Sequence, residues 1–146
     1  MIDAQKTKMF AVTPPAAIYD NASLTTAEID TIGADYCTIY LMLGATDIAM
    51  TALKVQESDT TGTGFADVTG LVYGAVGAAA LPTATDDNKI FAFEIDLRGR
   101  KRFLDLVATV GDGTLGGFAC AWAELSRLET MPDSVTERGV AAVLRV

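Results

Sequence analysis

The sequence predicts an all-β single domain carrying an extended N-terminal arm, and three observations point there. Over residues 89–98, Phe91, Phe93, Ile95 and Leu97 take alternate places, with Ala92, Glu94, Asp96 and Arg98 mostly on the other face. That period of two marks a half-buried strand, because successive side chains of a strand leave opposite faces. Similar runs recur along the chain, separated by clusters of Gly, Asp, Asn, Ser and Thr that punctuate it as turns. Near the start, Pro14-Pro15 bars helix and favours an extended path.

Taken in order, residues 1–24 read as the arm and 25–146 as the folded domain. Residues 36–43 (YCTIYLML) form the first clear strand, with Cys37, Ile39, Leu41 and Leu43 on one side and a turn at 44–47. Residues 52–57 (ALKVQE) alternate again, Leu53 and Val55 against Lys54 and Gln56, before the turn cluster 58–64. A short strand restarts at 65–68, and 70–84 is a small-residue loop. After the strand at 89–97 comes another at 103–110, ended by Gly111-Asp112-Gly113, a hairpin-type signal.

Residues 115–128 read as a longer strand with Phe118, Cys120 and Trp122 facing one way. The segment AWAELSRLE also fits helical spacing, but its glycine start and β neighbours favour strand. Trp122 is assigned to the core. A last strand is expected at 140–146. About eight strands at regular spacing fit a sandwich, a jelly roll or a small barrel.

Composition removes several classes of chemistry. The chain of 146 residues has no histidine, so the usual general base, the commonest zinc ligand and any Ser-His-Asp arrangement are absent. No CxxC pair is present, and the glycine-rich stretch 111–117 lacks the GK[ST] ending of a phosphate loop. Acidic pairs at Glu57/Asp59, Asp86/Asp87 and Glu94/Asp96 match no cation-loop spacing and read as solvated turn or sheet-face charges. No catalytic residue, metal site or cofactor is expected. Cys37 and Cys120 are expected as buried free thiols, a disulfide requiring that their strands be neighbours.

The formal net charge of −8 argues against a nucleic-acid partner, since phosphate binding needs a spread of Lys and Arg. No apolar run approaches the ~20 residues of a spanning helix, so no membrane role is expected. The N-terminus has no apolar core of signal-peptide length, and a cleaved secretion signal is not expected either. Half of the residues are hydrophobic and 21% charged, a surplus of apolar side chains suited to contacts between subunits or with a partner. Against the acidic balance stands one basic corner, Arg98-Gly99-Arg100-Lys101-Arg102, with four of the eleven Lys and Arg residues. It is either a charged turn that discourages edge pairing or a grip on an acidic surface, with Asp96 and Asp105 available to pair with it.

Three segments carry a family resemblance: TDIAMTALKVQESDTTGTGFADVTG, LPTATDDNKIFAFEIDLRGRKRFLDLVATVGDGT and LSRLETMPDSVTERG. Together they resemble the capsid decoration, or cement, proteins of tailed phages and prophages, over residues 35–139. The resemblance implies a jelly-roll-like β-sandwich and a homo-oligomer, a trimer in the first instance. It implies binding to the major capsid protein on the outside of an icosahedral shell, after assembly in the bacterial cytoplasm.

On that expectation, Lys6, Lys8, Phe10, Pro14, Pro15 and Tyr19 of the arm are candidate capsid or intersubunit contacts. So are Arg98, Arg100, Lys101 and Arg102 of the turn. The alternatives are a carbohydrate-binding sandwich, which needs exposed aromatics, and a phage tail or head-completion protein. An enzyme built on a carboxylate pair such as Glu94 and Asp96 is the weakest reading.

Overall fold

The structure is a computed structural model and describes residues 3–144. After a short 3-10 turn at Asp3–Lys6 come β1 (Lys8–Thr13), β2 (Ile18–Tyr19), β3 (Ala22–Ser23), β4 (Ile29–Asp30) and β5 (Ala34–Thr46). They are followed by β6 (Met50–Ser58), β7 (Ala66–Val72), β8 (Ile90–Asp96), β9 (Phe103–Val110) and β10 (Gly117–Leu128). Sheet A runs β1-β10-β5-β8, with β2 also paired to β10; sheet B runs β3-β9-β6-β7, with β4 also paired to β9. All pairings are antiparallel. The two sheets pack face to face as an all-β sandwich.

The sandwich follows from alternation. On β9 the inward places are Leu104, Leu106, Ala108 and Val110; on β5 they are Cys37, Ile39, Leu41 and Leu43, all buried. The gap of ~10 Å between packed sheets is filled by one such row from each strand. The alanines of β10, Ala119, Ala121 and Ala123, point inward beside the bulkier residues of β5. Small residues on one central strand and large ones on its neighbours let the layers interdigitate without voids.

Most links cross from one sheet to the other. Residues 97–102 carry the chain from β8 in sheet A to β9 in sheet B, and 111–116 carry it back to β10. The glycine-rich 111–113 turn is therefore a crossover, not the hairpin expected of it. Among the described residues, only β6 and β7 are both consecutive and paired to each other. Their turn is tied by Ser58, whose hydroxyl donates to the Thr63 carbonyl at 2.6 Å and accepts from the Thr60 N–H at 3.0 Å.

Three further expectations are corrected. The first residues are extended, as Pro14-Pro15 requires, but they lie on the body rather than reaching away from it. β1 and β2 pair with β10, and β3 pairs with β9, because an edge leaves main-chain groups that another strand of the same chain can satisfy. β7 continues through Gly70 to Val72, three positions into the expected loop. Residues 140–144 form no strand, and 145–146 lie outside the described residues. Instead the C-terminal segment turns across β1, where the Met9 N–H donates to the Arg138 carbonyl at 2.7 Å. Gly139 has φ +73°, and a Cβ there would collide with the Met9 carbonyl, so only glycine allows this approach.

Both margins of sheet A are thereby covered. At β1 the cover is the 138–139 segment. At β8 it is Tyr73, whose hydroxyl donates to the Ala92 carbonyl at 2.9 Å while its ring stands edge-on to Phe91 and Phe93. Covering an edge blocks uncontrolled strand addition.

Candidate interaction surfaces

The sequence-selected residues of the first segment fall along the β1–β2 margin. Lys6 ends the 3-10 turn. Lys8 lies over the ring of Phe10 on β1, 5.0 Å from its centroid, and these residues pair with Leu125 and Ala123 of β10. Pro14 and Pro15 lie exposed in the link to β2, where Tyr19 pairs with Gly117. β1 is thus paired with β10 within the chain, and on its other side the Met9 N–H meets the Arg138 carbonyl and the Val12 carbonyl accepts the Ala27 N–H.

The basic turn is matched by the chain's own carboxylates. Arg98 donates from Nε to Asp96 Oδ1 at 2.9 Å and from Nη2 to Oδ2 at 2.5 Å, and also reaches the Tyr36 hydroxyl at 3.4 Å. Arg102 grips Asp30 with both prongs of its fork, at 2.9 and 2.8 Å. Arg100 lies 3.6 Å from Glu57, which also accepts the Lys101 N–H at 3.2 Å. The Arg98 fork holds the Asp96 carboxyl at about 2, and Arg102 holds Asp30 below the usual carboxylate range. Asp105, the other bracketing carboxylate, instead accepts the Thr26 hydroxyl at 2.9 Å. The corner is a pinned sheet-to-sheet crossover, and its three guanidinium groups already face partners.

A surface that the residue pattern did not single out is the outer face of sheet A. The strand registers arrange it in rows across the sheet. Ala11, Trp122, Tyr40 and Ala92 make one row, and Cys120, Met42 and Ile90 the next. On the other side of the first row lie Glu124, Thr38 and Glu94, then Ser126, Tyr36 and Asp96. One end of the face is therefore apolar, and the other is charged, with Glu124, Glu94 and Asp96 beside Arg98 and Arg127, which lie over the Tyr36 ring.

Trp122 corrects the core assignment. It lies on this outer face, stacked on Tyr40 with ring centroids 5.3 Å apart and planes 24° from parallel. The parity was visible, since Phe118, Cys120 and Trp122 must oppose the alanines. The choice between the two faces was not, because large aromatics usually take the inside. Cys120 is half-buried on the same face, whereas Cys37 is buried in the core. Their strands are neighbours, yet the thiols leave opposite faces of the sheet and are free. Burial pushes the Cys37 thiol up to about 12.

Beyond the Cys120 row the apolar end continues to a corner. Ile18 pairs with Phe118, and with Leu115 they line a shallow groove of about 310 Å³, these three side chains being 53%, 48% and 73% exposed. The groove's carboxylates are engaged. Asp47 accepts the N–H groups of Thr114, Leu115 and Gly116 at 2.7–2.9 Å, which holds its carboxyl below the usual range, and Asp87 accepts the Thr46 N–H at 2.9 Å.

Among the described residues no group of three or more His, Cys, Asp or Glu side chains is placed to hold a metal, and no helix is long and apolar enough to cross a membrane. Glu94 and Asp96 stand on an open sheet face with Asp96 bound to Arg98, an arrangement that offers no enclosed acid–base pair. What the arrangement offers chemically is contact area, apolar and aromatic at one end. No protein-family model matches the chain, and no curated protein matches it either.

Proposed function

We propose that the protein is a structural virion protein. In this reading it binds the outer surface of an icosahedral phage capsid as a homo-oligomer, a trimer in the first instance, and stabilises the shell. The observation that carries the reading is the uncovered outer face of sheet A, with Trp122, Tyr40, Met42 and Ile90 on a flat surface and no enclosed cleft beside it. A flat apolar sheet face suits a broad protein contact better than a small molecule, which needs concavity. The strand order supports the jelly-roll part of the reading. Eight main strands form two interleaved sheets, β1-β10-β5-β8 and β3-β9-β6-β7, with the chain changing sheet at nearly every link.

The test is co-sedimentation of the purified protein with expanded capsids lacking decoration, and with unexpanded shells as control. Saturable binding to expanded capsids that Trp122→Glu weakens, with higher capsid melting temperature on binding, supports the reading. Absence of binding to every capsid tried would sink it. A stable six-membered ring that binds connectors or tails instead would move the protein to the tail or head-completion class.

A carbohydrate-binding module is the second reading, favoured by the surface position of Trp122 and Tyr40 together. Their mutual stacking covers one face of each ring, which leaves less platform for a sugar. A glycan screen with no ligand removes this alternative.

A further inference from the structure

Asp112-Gly113, in the crossover from β9 to β10, is the chain's single Asp-Gly pair, and the chain has no Asn-Gly pair. An Asp-Gly pair is open to isomerisation, because glycine leaves the backbone free to turn and puts no side chain in the way. In that reaction the Gly113 nitrogen would bond to Cγ of Asp112. The amide proton leaves with the carboxyl OH as one water, and a five-membered succinimide remains. Water then opens the ring at either carbonyl, giving aspartate again or isoaspartate, whose main chain runs through Cγ. No atom is gained or lost overall, and nothing is oxidised or reduced. The Asp112 side chain is exposed and has no partner among the described residues. Glycine is required at 113, since a Cβ there would collide with Asp47 Oδ1 and stand 3.0 Å from Ile48 Cβ. The tight approach of 113 to β5's end therefore keeps in place the residue that hinders ring closure least.

We propose that Asp112-Gly113 is a latent isoaspartate site, and that Asp20 is the positioning residue that keeps it closed in the folded chain. The inference goes beyond the capsid reading and does not depend on it.

The hydrogen bonds around the pair supply the closure. The Gly113 N–H donates to Asp20 Oδ1 at 2.8 Å. Before it, the Gly111 N–H donates to the Ala49 carbonyl at 3.1 Å, and the Gly111 carbonyl accepts the Asn21 N–H at 2.8 Å. After it, the N–H groups of Thr114, Leu115 and Gly116 all go to Asp47. Ring closure needs the Gly113 nitrogen to lose its proton and turn toward Asp112 Cγ, and both moves break its bond to Asp20. A hydrogen bond to a carboxylate is among the stronger ones, so its removal is expected to speed closure on the order of tenfold. The product would matter to the fold. Isoaspartate at 112 puts one extra atom into the main chain ahead of Gly113. The N–H groups of 113–116 then lose register with Asp20 and Asp47, and the crossover beside Leu115 and Phe118 is unpinned.

The experiment is to age the full chain at neutral pH and measure isoaspartate at 112 by peptide mapping with mass spectrometry. Four samples are compared: the folded chain, the same chain held unfolded in urea, folded Asp20→Ala and folded Asp20→Asn. Asp20 is exposed, and circular dichroism checks that each variant folds; Asp20→Asn, which keeps an acceptor oxygen, serves alone if Asp20→Ala does not. Asp133-Ser134, also exposed, is the internal control, because it lies outside the crossover. The expected result is fast isoaspartate formation at 112 in urea and slow formation in the folded chain. In Asp20→Ala the folded rate at 112 rises on the order of tenfold while 133 is unchanged, and Asp20→Asn falls between. No isoaspartate at 112 in urea, or equal rates folded and unfolded, would overturn the site. A rate at 112 that stays level or falls in the Asp20 variants would overturn the role of Asp20, and so would an equal rise at 112 and 133, which reports general loosening of the fold.

Discussion

Asp47 and Gly116 are bonded in both directions: the Asp47 N–H donates to the Gly116 carbonyl at 3.2 Å, and the Gly116 N–H donates to Asp47 Oδ1 at 2.9 Å. Oδ2 of the same carboxylate takes the N–H groups of Thr114 and Leu115, at 2.9 and 2.7 Å. One side chain just past the end of β5 thus pins residues 114–116 of the crossover from β9 to β10, while the Gly113 N–H is held by Asp20. Asp47→Asn leaves a single acceptor oxygen and turns an amide NH2 toward N–H donors. Amide hydrogen exchange at Thr114 and Leu115 is expected to speed up in that variant, with β9 and β6 unchanged. Unaltered protection at 114–116 would show that the loop holds itself.

Acid should weaken the fold through the same kind of contact. Asp96 and Asp86 are held at about 2 by Arg98 and Lys89 respectively, and Asp30, Asp47 and Asp67 are also lowered. A carboxyl whose folded pKa lies below its unfolded value stabilises the fold above the unfolded value, and that contribution disappears as pH falls through the folded one. From pH 7 down to about 4 the fading net charge of −8 relieves self-repulsion, so the melting temperature holds or rises. Between about 4 and 2 it should fall. A melting temperature that keeps rising to pH 2 would contradict the contribution of these pairs.

Size alone misjudges which side chains hold the sandwich together. Leu106 is 1% exposed at the centre of β9, and Leu106→Ala is expected to cost about 2–5 kcal/mol in urea unfolding. Trp122→Ala removes one ring of a surface stack and should cost nearer ~1 kcal/mol. Ala121→Leu overpacks a 3% exposed position and is expected to cost about 1–3 kcal/mol. A tryptophan variant less stable than the leucine variant would place Trp122 back in the core.

The two cysteines should be told apart by alkylation. Cys120 on the outer face reacts in the folded protein, whereas Cys37, buried and with its thiol pushed up to about 12, reacts only after unfolding. Mass spectrometry after a short iodoacetamide pulse reads this directly. Equal labelling of both, or of neither, would disagree with their placement on opposite faces of sheet A.

The β elements were legible because alternation is a local property. The runs at β5, β6, β8 and β9 carry their inward residues at every second place, and each lies within a few residues of its expected span. Extension of the first residues followed from Pro14-Pro15, which fixes backbone angles whatever surrounds them. The absence of histidine and of CxxC chemistry is a matter of composition and needed no fold.

The rest depended on which strands meet. Alternation gives two faces but not which one another sheet covers, so Trp122 and the alanines of β10 exchanged places relative to expectation. That the first residues lie along β10, that Arg102 reaches Asp30 and Arg100 reaches Glu57, and that residues 138–139 cross β1 all arise from contacts between distant parts of the chain. The groove of Ile18, Leu115 and Phe118 is of the same kind, since its lining residues are brought together by pairing of β2 with β10. Local sterics and hydrophobic period therefore set the strands, and only long-range pairing set the surface they present, because a strand's open main-chain bonds and its two faces can be satisfied by any partner the remaining chain brings to it.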